Sequence, residues 1–232
     1  MNEQEETRRR GFWRDNSLTL AFGGAFVLVL AGQAVAGHAG FNEGLAVDGM
    51  QQLTLGEYMK SSDFAVDVTE NWQSEFLQFS LYILGTVWLL QRGSPESKEL
   101  HKAGTESDRE QRVGDLADAD SPRWARAKDW RQHLYSRSLG TVMGLLFLLS
   151  WLAQSIAGTA AYNEQQLRDL LAPVSWAAYL ASADFWNRSL QNWQSELLAV
   201  AAMAILSVYL RQRGSPESKP VGAPHTSTGV ER

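Results

Sequence analysis

Asn71, Glu75 and Gln78 fall at i, i+4 and i+7, which puts an amide, a carboxylate and a second amide on one helical face. The face recurs 121 residues later as Asn192 and Glu196, with Ala199 replacing the Gln. Each Glu opens an uncharged run, 76–91 or 197–210, that stops at Arg92 or Arg211. These runs hold 16 and 14 residues, which is about 21–24 Å of helix at ~1.5 Å per residue. A hydrocarbon core of about 30 Å needs more length than that. Arg92 and Arg211 can snorkel at one end. The remaining length must come from the other end, which draws Glu75 and Glu196 to the boundary or just below it. An ionisable group at that depth is costly and takes a partner. Gln33 and Gln154 sit in the outer third of two further apolar runs, at a similar depth. Small residues one turn apart (Gly32/Ala36, Ala153/Ala157) let a neighbouring backbone approach there. The expected site is a pseudo-symmetric cluster of Gln33, Asn71, Glu75, Gln78, Gln154, Asn192 and Glu196. Two kinds of chemistry fit it. In one, Glu and Gln hydrogen-bond to hold helices in register while Asn71 and Asn192 cap helix starts. In the other, the carboxylates bind a proton, a cation or a polar ligand.

The elements that must position these groups are helices in a membrane. Residues 16–42 and 138–163 carry no Asp, Glu, Lys or Arg, and about 20 residues of helix cross a bilayer. Four spans are expected, at roughly 17–38, 71–91, 138–160 and 192–211, in an all-α membrane protein folded as a four-helix bundle. The first span has a competing reading as a cleaved signal peptide, with Arg8-Arg9-Arg10 ahead of an apolar centre and Ala34-Val35-Ala36 behind it. An internal copy of the same helix argues against that reading. Residue n pairs with n+121 without a gap from Ser17/Ser138 to Lys98/Lys219, with 32 identities in 82 pairs. The chain is therefore read as a tandem repeat of a two-helix hairpin. Two helices per repeat return the chain to its starting side, so the halves share one orientation.

Charge sets that orientation. Segments 1–16, 92–137 and 211–232 hold 18 of the 21 Lys and Arg, while the loops 39–70 and 161–191 hold Lys60, Arg168 and Arg188. This bias places both termini and the linker in the cytoplasm. The expected organisation is a cytoplasmic tail (1–15), repeat 1 (16–98), a cytoplasmic linker (99–137), repeat 2 (138–219) and a disordered cytoplasmic tail (220–232). Within the linker, Trp124, Ala127, Trp130 and Leu134 recur at helical spacing among basic residues. That pattern suggests a basic amphipathic helix over 122–136, lying on the inner leaflet or leading into the third span. Trp72, Trp193, Arg92, Arg211, Trp124 and Trp130 are the expected membrane-interface anchors.

Composition removes several function classes. There is no Cys and there are only four scattered His, so disulfides, thiolate metal sites and cysteine nucleophiles are excluded and a His-based metal site is not expected. A net charge of −5 argues against a general nucleic-acid binder. No phosphate-binding Gly loop, HExxH or GxSxG occurs, so neither an enzyme nor a cofactor is expected. A mean hydropathy of −0.26 would describe a soluble chain, but it averages polar tails, linker and loops with charge-poor spans. The repeated QRGSPESK (91–98 and 212–219) reads mainly as helix termination, with Gly93 and Gly214 suited to a left-handed backbone.

The matched blocks QxxAG, (F/Y)NE, Tyr followed by Asp-Phe, NWQSE and QRGSPESK carry a family likeness. On them the chain resembles a bacterial family of small integral membrane proteins known as a domain of unknown function, over about residues 14–98 and 135–219. The resemblance implies a bacterial inner-membrane location and a duplicated two-helix build, with no activity or site residues. The expected function is a non-enzymatic scaffold or accessory subunit. Its partners would be the lipid bilayer and a second copy or another membrane protein. The alternative is a small transporter or channel using the Glu/Gln cluster.

Overall fold

The structure, a computed structural model, describes residues 11–229; Arg8-Arg9-Arg10 and residues 230–232 lie outside them. The regular secondary structure of the described residues is helical, with no strand. In chain order the helices are α1 (Phe12–Asp15), α2 (Ser17–Val47), α3 (Leu55–Tyr58), α4 (Ser62–Gly85), α5 (Trp130–Tyr135), α6 (Ser138–Arg168), α7 (Trp176–Leu180) and α8 (Ala183–Tyr209). The chain divides into two compact units, Met1–Ala65 and Val66–Arg232.

The long helices exceed their expected bounds at one end. Helices α2 and α6 run past 38 and 160 because Asn42 and Asn163 give their last turns tertiary hydrogen bonds. The two helices end alike. Met50 N–H donates to Leu45 O (2.8 Å) and Leu171 N–H to Gln166 O (2.8 Å). The turn requires a left-handed residue, which is Gly49 (φ 68°) in one and Leu170 (φ 59°) in the other. Helices α4 and α8 begin nine residues before the expected 71 and 192. Their true starts are Ser61, whose hydroxyl accepts from Phe64 N–H (3.2 Å), and Ser182, which accepts from Phe185 N–H (3.2 Å). Asp63 and Asp184 in the first turns complement the helix dipole. At the other end α4 stops at Gly85, where Thr86 Oγ1 bonds back to Tyr82 O (2.7 Å).

Among the described residues two helices, α2 and α6, are long and apolar enough to cross a membrane. Both are exposed rather than buried: 6% of the most apolar stretch of α2 and 17% of that of α6 are covered by protein. Helices α4 and α8 are less apolar over a comparable length. Asp63, Asp67, Glu70 and Glu75 on one, and Asp184, Arg188 and Glu196 on the other, dilute their N-terminal halves. Of the expected helix over 122–136, only Trp130–Tyr135 is helical, capped by Asp129, whose carboxylate accepts from Arg131 N–H (3.0 Å). The rest of the linker is turns and one 3-10 turn, Gly114–Leu116. The segment 220–229, expected to be disordered, is in turns that are bonded to the chain. Its carbonyls serve Lys219, which is 2% exposed. The Lys219 ammonium donates to Pro224 O (3.2 Å), His225 O (3.0 Å) and Ser227 O (3.1 Å).

Candidate functional site

The loop after α2 and the loop after α6 are each built around one Asn and one Tyr. Asn42 Oδ1 accepts from Leu53 N–H (2.9 Å) while its Nδ2 donates to Leu53 O (2.8 Å). Asn163 does the same to Val174, at 2.8 and 3.0 Å. A side-chain amide is the right shape for this because it presents a donor and an acceptor side by side. Thr54 and Ser175 then cap α3 and α7. These short helices place Tyr58 and Tyr179, both buried, against Gly37 and Gly158. A Cβ at Gly158 would come within 2.5 Å of the Tyr179 hydroxyl, and Gly37 meets Tyr58 in the same way. The rings of Phe41 and Phe64 flank Tyr58, and those of Tyr162 and Phe185 flank Tyr179.

In the second unit a polar network continues from this loop. Tyr179 donates to Asp184 Oδ2 (3.0 Å), Arg188 Nε lies 3.4 Å from the same oxygen, and Arg188 Nη1 donates to Glu70 (3.1 Å). Burial and then Asp184 push the Tyr179 hydroxyl above the ordinary phenol range. Burial also holds the Glu70 carboxyl above its usual range, and Arg188 pulls it back only in part. One turn inward, Trp193 donates to Gln73 Oε1 (2.7 Å) and Trp151 donates to Ser189 Oγ (3.2 Å). Trp151 stacks on Phe147 and Phe185 and packs against Trp193 at 5.6 Å. The arrangement fastens α4 and α6 to α8 by indole and guanidinium donors, each aimed at an acceptor on a neighbouring helix.

The residues singled out from sequence are distributed differently from the expected single cluster. Gln33 is half-buried in the first unit, and the other six belong to the second. Gln154 is fully buried and neither amide atom has a partner among the described residues. Asn71 and Asn192 are not caps. They lie inside their helices and donate back to Asp67 O (2.7 Å) and Arg188 O (2.9 Å), because the helices start a little over two turns earlier. Glu75 is exposed, Gln78 and Glu196 are half-buried, and the two Glu lie within electrostatic reach of each other. In the NWQSE block of the first repeat, Gln73 and Ser74 are the buried pair. Among the expected anchors, Trp193 is a donor to Gln73, whereas Trp72, Trp124 and Trp130 are exposed. Arg92 is exposed, while Arg211 hydrogen-bonds Ser207 O, Val208 O and Leu210 O at the end of α8 and Ala223 O beyond it. Sequence reasoning passed over Glu70, Gln73, Trp151 and Arg188. Only Gln73 carried a signal, its identity with Gln194.

The QRGSPESK segments form one turn twice. Gln91 N–H donates to Ser97 Oγ (2.9 Å) and Gln212 N–H to Ser218 Oγ (2.9 Å). Glu96 N–H donates to Ser94 Oγ (3.3 Å) and Glu217 N–H to Ser215 Oγ (3.2 Å). Gly93 (φ 85°) and Gly214 (φ 84°) adopt the expected left-handed backbone, within these turns rather than at a helix C-cap. Lys98 and Lys219 each donate to carbonyls of the following segment, Lys98 to Gly104 O at 3.0 Å. The repetition of the whole octapeptide follows from this: its Gly, both Ser and its Lys each hold the turn.

The family model described as Domain of unknown function (DUF6766) matches residues 9–230. No curated protein and no solved structure matches the chain.

Proposed function

We propose that this chain, which belongs to the DUF6766 family, is a multi-pass inner-membrane protein acting as a non-enzymatic scaffold or accessory subunit. The membrane assignment is supported by α2 and α6, whose apolar side chains face outward. An exposed apolar helix of this length finds its solvent in lipid. The charged outer turns of α4 and α8 are reconciled with spanning by the pairing of Glu70 with Arg188, since ion pairs and hydrogen bonds are the form in which polar groups are tolerated there. Both termini and the linker then lie in the cytoplasm, in keeping with the distribution of Lys and Arg, and the two hairpins derive from one duplicated unit.

One observation carries the scaffold reading. The polar side chains of the outer half are spent on helix-to-helix bonds: Trp193 to Gln73, Arg188 to Glu70 and Trp151 to Ser189. Groups used this way fix helix positions and are not available to pass a solute. The second reading, a small transporter or channel, rests on the proximity of Glu75 to Glu196 and on the unpartnered amide of Gln154. Proteoliposome flux assays with protons and monovalent cations separate the two. A scaffold gives no flux above empty vesicles. Flux that disappears in the Glu75→Gln plus Glu196→Gln variant would replace it with transport.

A further inference from the structure

We infer that the chain pairs with a second copy of itself by repeating, between chains, the seam that joins α4 to α8 within one chain. The inference deepens the scaffold reading and rests on it. The seam inside the chain is made of two different halves. Helix α8 brings the indole of Trp193, and α4 brings the amide of Gln73, which accepts from it (2.7 Å). Gln73 and its neighbour Ser74 are buried. The matching block of α8, Asn192 to Glu196, has the same local structure. Asn192 and Ser195 bond back to carbonyls of their own helix (2.9 and 2.8 Å), as Asn71 and Ser74 do (2.7 and 2.9 Å). Yet Gln194 and Ser195 are exposed, and so is Trp72, the counterpart of the donor Trp193. Each helix therefore uses one half of the seam within the chain and presents the other half outward.

A seam between unlike halves propagates until rotation brings the series back to its start. A two-fold axis within one chain would set Trp72 against Gln194 as well and would cover both; their exposure rules that out. Two chains supply four members, and these close as a ring in the order α4, α8, α4, α8. Each junction between chains then sets Trp72 of one copy against Gln194 of the other. The open faces continue the existing seam and are otherwise apolar. Leu198 and Ile205 follow Gln194 at i+4 and i+11, Phe79 follows Trp72 at i+7, and all three are exposed. Gln194 occupies the same position in its helix as Gln73, so the group that satisfies it is an indole N–H at that depth. Acyl chains carry no such donor, and amides in a span take partners on neighbouring helices. This chain carries the fitting donor, in register, on α4.

The absence of cysteine permits a direct test in native membranes. Trp72→Cys and Gln194→Cys are placed in separate, differently tagged full-length chains and co-expressed. A mixed pair keeps one junction intact while a short bis-maleimide reads the other. The expected result is a product of twice the chain mass carrying both tags, at least tenfold more abundant than with Trp72→Cys and Leu148→Cys, an exposed position on α6. Absence of that product, or equal yield from the α6 pair, overturns the proposal. As a second measurement, Gln194→Leu plus Ser195→Leu alters exposed positions only, so the single chain keeps its unfolding midpoint. Photobleaching steps in supported bilayers are expected to show dimers for wild type and at least a tenfold weaker dimer for this variant. A wild-type monomer, or an undiminished dimer in the variant, overturns the proposal. Carbonate extraction of the same membranes reports separately on the membrane reading: a chain that resists extraction and gives no mixed product defeats the pairing alone.

Discussion

Replacing Asn163 by Ala tests the loop clamp, and the two repeats supply an internal comparison. Asn163 serves both backbone groups of Val174, at 2.8 and 3.0 Å, and Val174 is half-buried. Its removal loses two hydrogen bonds and leaves one N–H and one C=O unserved. At about 1 kcal/mol net per bond, with about 1–3 kcal/mol for an unsatisfied group, the cost is about 2–4 kcal/mol. Asn42→Ala removes the matching pair from Leu53, but the Leu53 carbonyl keeps a second partner, His38 Nε2 at 2.8 Å. Only the N–H is orphaned, so that cost is about 1–2 kcal/mol. The residue matching His38 in the second repeat is Thr159, which is bonded to Ser155 O instead. Asn163→Ala therefore destabilises more than Asn42→Ala, and adding His38→Ala to Asn42→Ala brings the two level. Denaturant midpoints in mild detergent give the totals. Hydrogen exchange of peptides spanning 169–176 and 48–55 locates the loss. Equal costs for the two single variants, or unchanged protection of 169–176 in Asn163→Ala, would refute the reasoning.

Further outcomes follow from other contacts. Leu170→Gly stabilises by about 1 kcal/mol, because a left-handed Leu carries a steric penalty that Gly does not and this Leu is 94% exposed; an unfolding midpoint that falls would count against the turn. Trp193→Phe keeps the ring but leaves fully buried Gln73 without its donor, costing about 1–3 kcal/mol in the same measurement. Gly158→Ala places a methyl group 2.5 Å from the Tyr179 hydroxyl and costs about 1–3 kcal/mol by overpacking, whereas the open Gly44 tolerates Ala. Glu70 gives a pH dependence. Its folded carboxyl is raised above 4.5 by burial, so its contribution to stability is fully present below the unfolded value and is lost as pH rises through the folded one. Arg188→Met extends that loss to higher pH, and Glu70→Gln removes it; a Glu70→Gln variant whose midpoint keeps the wild-type pH slope would exclude Glu70 as the source.

The helices and their order were legible because four charge-poor runs and a gapless internal match leave few alternatives. Helix starts were misjudged where charge was taken as the end of a helix. Asp63, Asp67 and Glu70 belong to α4, since a helix whose polar groups find partners need not stop at the edge of an apolar run. The matched landmarks Asn42/Asn163 and Tyr58/Tyr179 stood out in the sequence, but their tasks depend on residues 11 and 21 positions away and on the closure of a loop. The polar network was hidden for a different reason. Trp151, Arg188 and Glu70 align with Leu30, Asp67 and Gln191, so the bonds that Trp151 and Arg188 make lie where the copies differ, and comparison of the copies draws attention away from them; the Trp193–Gln73 bond lies in the shared NWQSE block.

The central claim is four passages through the membrane with both termini inside, and the absence of cysteine makes it directly measurable. Lys60→Cys, Arg109→Cys, Ala172→Cys and Val221→Cys each introduce one exposed thiol, to be labelled with a membrane-impermeant maleimide in intact spheroplasts and again after permeabilisation. Four spans predict labelling at 60 and 172 in intact cells, and at 109 and 221 only after permeabilisation. If α2 and α6 alone crossed the membrane, positions 60 and 109 would label together from one side and 172 and 221 from the other, which would contradict the account.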